Sequence, residues 1–357
     1  MRQGKATYLF PGSNTPAGFL SFYREGLKGT EHVFILKGGP GCGKSTLMRK
    51  IGLHMLERGY DVEFWQCSSD NDSLDGVRIP ALSVAIVDGT APHTLDPLYP
   101  GAVEEIVNLG EHWQSAALRR QKEEIISLSQ RISERYAFCY GKLREAGALL
   151  ETEQAENSDH ADTSILEQTL HDLADHIFST DQPRGRHLFA SAVTPRGLIR
   201  FTEPLSRRMR RRFILTGPVG GGKEQLIAAL ARMAEEKGHR ADIYHHTLLP
   251  ETIELLLLPE LEIAVVAAER PPQETLPGDT VIVCGKAHDE AAAAALQEQV
   301  ETLVAAAANY IAEAKALHDS LEAIYRKAVD FPAVESTGNR LFSRILALAA
   351  DTDSSAE

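Results

Sequence analysis

The 357-residue chain predicts an α/β fold made of two similar units, each a mainly parallel sheet followed by long helices. Three observations carry this prediction. Two glycine loops, "GGPGCGKST" at 38–46 and "GPVGGGKEQ" at 217–225, each follow a short apolar run. Sliding the sequence by 223 − 44 = 179 residues aligns 9–92 with 188–271 without a gap and gives 21 identities over those 84 positions, an internal repeat. Beyond each repeat, apolar or small residues recur at steps of three and four over many turns.

The elements follow in order. An apolar strand (33–37; 212–216) enters each glycine loop, and a helix opens at the lysine and stops near Gly59 or Gly238, residues suited to a left-handed C-terminal turn. A second strand (61–67; 241–246) leads through a polar loop, 67–76 in the first copy, to a third apolar strand (82–88; 261–267). Buried apolar runs joined by a helix favour parallel pairing. The long helical stretches place apolar residues at 125, 128, 132, 136, 139, 143, 146 and 150, and at 296, 300, 303, 307, 310, 314, 317, 321, 324 and 328, a coiled-coil-like seam. They are expected to pack on each other, on the partner unit, or as ordinary covers of a sheet. The repeat places one unit at 1–182 and the other at 183–357. The acidic "ETEQAENSDHADT" (151–163) is expected to be an exposed connection, and the tail 351–357 to be disordered.

Composition narrows the function. A formal charge of −13 argues against wholesale nucleic-acid binding, since a phosphate polymer is repelled outside a local basic patch. Cys42, Cys67, Cys139 and Cys284 form no CxxC pair and predict reduced thiols in a cytoplasm rather than a zinc site or a disulfide framework. The apolar stretch 255–268 is short and broken by Pro259, Glu260 and Glu262, so no membrane span is expected.

The first loop satisfies GxxxxGK[ST] between a strand and a helix, the context in which that motif cradles phosphates. Gly38, Gly39, Gly41, Cys42, Gly43 and Thr46 are expected to wrap the phosphates of ATP with backbone N–H groups, helped by the helix N-terminus. Lys44 reaches the terminal phosphates, and Ser45 offers a hydroxyl to Mg²⁺. Asp88, at the end of the third strand, is the expected second Mg²⁺ contact. No Glu follows it, so a base must come from loops 67–76 or 88–97, where Asp70 and His93 are the named candidates beside Asp72, Asp75, Thr90 and Asp96. Neither the guanine-reading NKxD nor LSGGQ occurs, which favours ATP over GTP.

The combination of "GGPGCGKST", "CSSDNDSLDG" and "DGTAPHTLDP" with a second P-loop copy opening "HLFASAVTPRG" resembles a poorly characterised bacterial family of tandem P-loop ATPases, along nearly the whole chain. The resemblance implies nucleotide binding and no particular substrate.

The second loop keeps Gly217, Gly222 and Lys223 but has Glu224 in place of Ser45 and Ala267 in place of Asp88. Both metal contacts change together, so a degenerate structural or regulatory site is expected there. "SRRMRRR" (206–212) is either a solvated edge, a source of an arginine for a phosphate, or a nucleic-acid contact. Three functions stand: a Mg²⁺-dependent ATPase with catalysis in the first unit, a small-molecule or nucleotide kinase whose acceptor is unknown, and a nucleotide-dependent binding module that uses the arginine cluster or the helical seam to hold a nucleic-acid or protein partner.

Overall fold

The computed structural model describes residues 3–91, 94–158, 163–177, 184–272, 274–285, 287 and 289–354. The first half contains β1 (Ala6–Leu9), β2 (Gly12–Thr15), β3 (Gly18–Ser21), α1 (Tyr23–Gly26), β4 (His32–Lys37), α2 (Lys44–Glu57), β5 (Val62–Gln66), β6 (Leu74–Ile79), β7 (Val84–Asp88), β8 (Glu104–Asn108), α3 (Ser115–Arg120), α4 (Lys122–Ser158) and α5 (Thr163–Ile177). The second half contains β9 (Arg184–Phe189), β10 (Ser191–Thr194), β11 (Gly197–Arg200), α6 (Thr202–Ser206), β12 (Arg211–Thr216), α7 (Lys223–Glu236), β13 (Arg240–His245), β14 (Ile253–Leu258), β15 (Ile263–Ala268), β16 (Asp279–Val283), α8 (Glu290–Arg326) and α9 (Phe331–Ser354).

The two six-stranded sheets have one topology, β1-β5-β6-β7-β4-β8 and β9-β13-β14-β15-β12-β16, and each half adds a two-stranded hairpin, β2-β3 and β10-β11. Even a rare backbone state recurs at the repeat spacing: Ser83 and Glu262, 179 apart, are both non-glycine residues in the left-handed region, with φ of 50° and 52°. Each turns the chain from a short helical turn into the next strand, β7 or β15.

The sheets are mixed, which corrects the purely polar loop expected at 67–76. Residues Leu74–Ile79 form a buried strand lying antiparallel to both β5 and β7. Its polar residues hid it. Arg78 is buried because Glu63 on β5 accepts from it at 3.2 Å and Thr30 does so at 3.2 Å, so the charge is balanced inside the sheet. The edge strands β8 and β16 also escaped the sequence pattern, since their side chains alternate only weakly between buried and exposed.

The compact units do not follow the repeat. One comprises Met1–Pro11, Leu27–Ala137 and Tyr310–Glu357; the other comprises Gly12–Gly26 and Phe138–Asn309. Each sheet is thus covered by helices that follow the other copy. In the first unit Leu341, Ile345 and Ala349 of α9 join Met48, Ile51 and Met55 of α2 in one core. In the second, Leu173, Ala174 and Ile177 of α5 join Leu226, Ile227 and Leu230 of α7. Helices α4 and α8 are each 37 residues long, about 55 Å at 1.5 Å per residue, and each begins in one compact unit and ends in the other.

Two further expectations change. Residues 151–158 are the end of α4 rather than a linker, with Asn157 buried, and α9 continues into the tail as far as Ser354.

Candidate functional site

Strand β4, between β7 and the edge strand β8, ends at Lys37, and the chain turns through residues 38–43 into α2. Gly41 and Gly43 hold φ of 66° and 91°, which a side chain disfavours. At Gly38 a side chain would meet Cys42 Sγ at 2.6 Å. Cys42 is buried beneath the loop, and burial raises its thiol pKa, so it is a packing group here. Helix α2 begins without a side-chain cap, leaving the first-turn N–H groups and the positive end of the helix open to an anion.

Lys44 and Asp88 meet at this turn, where Ser45 opens the helix beside Lys44. Parallel pairing of β4 with β7 puts Asp88 opposite Leu36, one strand from the loop. Its Oδ1 accepts from the backbone N–H of Thr90 at 2.8 Å and from the Thr90 hydroxyl, while Oδ2 lies 3.5 Å from Lys44 Nζ. Lys44 also donates to the carbonyls of Gly38 and Gly39 at 2.8 and 3.0 Å. Ser45 Oγ accepts from the N–H of Leu74 at 2.9 Å, tying the helix start to β6. Thr46 is exposed.

The expected bases fare differently. Asp70 lies 3.6 Å from Lys315 of α8 and also accepts from its own turn at the N–H of Asp72, so it is charge-balanced. Asp75 is buried on β6 instead of standing in a loop. Asp96 pairs with Lys37 at 2.8 Å. His93 lies outside the described residues.

No local pattern in the sequence announces the cover over the loop. The end of α8 and the start of α9 are laid against it: a side chain at Gly39 would meet Tyr325 at 2.9 Å and Trp113 at 3.1 Å, one at Gly41 would meet Arg326 Cγ at 2.9 Å and Glu322 O at 3.2 Å, and one at Gly43 would meet Val334 at 3.8 Å. Val334 is anchored in turn in a small cluster with Cys42, Leu109 and Val329. Trp113 and Tyr325 meet edge to face with centroids 5.7 Å apart.

In the second unit the same arrangement is built from the other helices. Gly220 and Gly222 again have positive φ, 81° and 106°, and a side chain would meet Gln154 Cα at 2.8 Å at the first and Leu166 Cδ1 at 2.6 Å at the second. Gln154 and Glu322 are 322 − 154 = 168 residues apart, as are Leu166 and Val334, so the covering helices form a second repeat with its own spacing. Asn157 donates to the carbonyl of Val219 at 2.8 Å. Residues 219–223 are buried, whereas most of the first loop is only partly so.

The chemistry of the second loop is different. Lys223 donates to the carbonyl of Pro218 at 2.7 Å and pairs with Glu224 at 2.8 Å, with side chains only 5% and 10% exposed. Glu224 Oε2 is buried with no hydrogen-bond partner among the described residues. Glu153 of α4 stands near the pair, and its pKa is raised first by burial and then by Glu269 and Glu224, against Lys223. Ala267 sits opposite Leu215, the place Asp88 holds opposite Leu36.

One arginine of the 206–212 cluster is structural. Arg212 is buried, paired with Asp279 through two bonds of 2.7 and 2.6 Å and with Glu203 at 3.2 Å, which ties β12 to β16 and α6. Arg207 pairs with Glu203, and Arg211 lies over the Phe213 ring. The chain matches no protein-family profile, no curated protein and no solved structure.

Proposed function

We propose that the first glycine loop binds Mg·ATP and hydrolyses its terminal phosphoanhydride, and that the second loop is a degenerate copy without turnover. The observation that supports this reading best is the meeting of Lys44 and Asp88, beside Ser45, at an uncapped helix start with two left-handed glycines. The loop N–H groups and Lys44 serve the phosphate charge, and Lys44 has to leave the Gly38 and Gly39 carbonyls to do so. Ser45 and Asp88 are the residues for Mg²⁺, one hydroxyl and one carboxylate, in keeping with a small hard cation that takes few protein ligands and fills its shell with water and phosphate oxygens. The ion, when bound, neutralises charge developing on the phosphate oxygens. Water's oxygen bonds to the terminal phosphorus, the bond to the bridging oxygen breaks with its electron pair passing to ADP, and the protons pass to phosphate and solvent.

In the second loop, Glu224 holds the ammonium that a phosphate would need, and Ala267 offers no metal contact. The four cysteines, free and buried, support a cytoplasmic setting. No described helix is long and apolar enough to cross a membrane.

Phosphate release from ATP, measured on purified wild type and three variants, tests the reading. Lys44→Ala and Asp88→Ala are each expected to lose about a hundredfold or more in turnover, and Lys223→Ala to stay within about threefold. Absence of ATP binding and turnover in the wild type, or equal loss from both lysine variants, refutes it.

A further inference from the structure

We propose that Arg326, the last residue of α8, is a catalytic residue of the first loop, contacting the terminal phosphate of ATP and stabilising the charge that develops there. This role rests on the ATPase reading of the first loop. Four observations lead to it.

The first is placement. The Arg326 stem lies on Gly41, in the middle of the phosphate-binding turn, so that a side chain at Gly41 would meet its Cγ at 2.9 Å. The guanidinium begins two bonds further along. The second is that its charge is uncommitted: Arg326 is exposed and has no ion-pair partner among the described residues. Three other cations of this unit are engaged, Lys44 with Asp88 at 3.5 Å, Lys37 with Asp96 at 2.8 Å and Lys315 with Asp319 and Asp70 at 2.9 and 3.6 Å.

The third is the balance of charge. Lys44 and a bound Mg²⁺ together carry fewer positive charges than the triphosphate and Asp88 carry negative ones, so a further cation at this turn offsets charge that moves in the reaction. A planar guanidinium, able to give two parallel hydrogen bonds to phosphate oxygens, suits that role better than an ammonium.

The fourth is a comparison inside the molecule. At the 168-residue spacing of the covering helices, Arg326 corresponds to Ser158, since 326 − 158 = 168. Ser158 lies on the equivalent glycine, donating towards Gly220 O at 3.4 Å and to Gln154 O at 2.6 Å. The helix end is kept in both units while the arginine is present only over the loop that has Ser45 and Asp88. In the second copy the hydroxyl, the aspartate and the arginine are all replaced, as Glu224, Ala267 and Ser158. A packing role alone does not require an arginine, because Ser158 occupies the same place against a more deeply buried loop.

The test compares wild type, Arg326→Ala and Arg326→Lys in three measurements: turnover of Mg·ATP, calorimetric binding of Mg·ADP, and binding of ADP with aluminium fluoride, a mimic of the transferring phosphoryl group. Arg326→Ala is expected to lower kcat by about a hundredfold or more. Its Mg·ADP affinity should stay within about threefold of wild type, and the aluminium fluoride complex should be lost. Arg326→Lys is expected to recover part of the complex and little of the rate. If the wild type turns over ATP and Arg326→Ala does so within about threefold, the arginine role is overturned while the ATPase reading stands. Equal weakening of Mg·ADP and of the aluminium fluoride complex also overturns it, by showing a structural contribution only. A wild type that neither binds nor hydrolyses ATP removes the ATPase reading and this inference together.

Discussion

Alanine at Gly220 and alanine at Gly41 test the exchange of helices between the two halves of the chain. Both glycines have left-handed φ, 81° and 66°, so each substitution costs about 1–2 kcal/mol in backbone strain. Only their surroundings differ. At Gly41 the nearest atom is Arg326 Cγ at 2.9 Å, on an exposed and flexible stem, with Glu322 O next at 3.2 Å. At Gly220 the new methyl overlaps the Gln154 carbonyl oxygen and stands 2.8 Å from Gln154 Cα, so helix backbone has to move. Overpacking of this kind adds about 1–3 kcal/mol. Taking about 2 kcal/mol for that overlap, and about 2–4 °C per kcal/mol for a unit of this size, Gly220→Ala should melt about 4–8 °C below Gly41→Ala. Scanning calorimetry of the two variants beside wild type reads the difference directly. Melting of Gly220→Ala within about 2 °C of Gly41→Ala refutes the seating of α4 on the second loop.

In a Lys44→Ala background, Glu224→Ser releases Lys223 from a carboxylate 2.8 Å away and should raise ATP affinity at the second loop without turnover, because Ala267 still offers no metal contact; unchanged affinity in a nucleotide titration refutes the charge argument. Buried Glu254 has its carboxyl raised from 4.5 to about 7 by burial, against the hydrogen bond from Ser191 and the charge of Arg200. A carboxyl whose folded value is raised contributes stability that is full below about 4.5 and is lost as pH rises through about 7. Urea unfolding at pH 5 to 8 should therefore show a shallower decline for Glu254→Gln than for wild type, and parallel curves refute the shift. Trp113 stands at Gly39 while Trp65 is fully buried, so added ATP should change Trp113 emission, and a signal that survives Trp113→Phe would place its source elsewhere.

The repeat, and the strand, turn and helix around each glycine loop, are legible in the sequence alone. A gapless 179-residue spacing carries the strand, glycine turn and helix, and these are local structures whose signals lie within a few residues: the apolar run, the glycines that accept left-handed φ, the lysine at the helix start. Asp88 was legible for the same reason, since strand pairing places the end of β7 beside the end of β4. Strand β6 was not, because its buried Arg78 is satisfied by Glu63 and Thr30, partners 15 and 48 residues away. Which helix covers which loop is a property of the folded chain. Gln154, Asn157 and Ser158 look like part of an acidic linker until the carbonyls of Val219 and Gly220 are found beside them, and Arg326 looks like an ordinary helix end until Gly41 lies beneath it. A helical pattern fixes which face is apolar, whereas the surface that face meets depends on where a helix about 55 Å long delivers the chain, a property of the whole fold rather than of any window of residues.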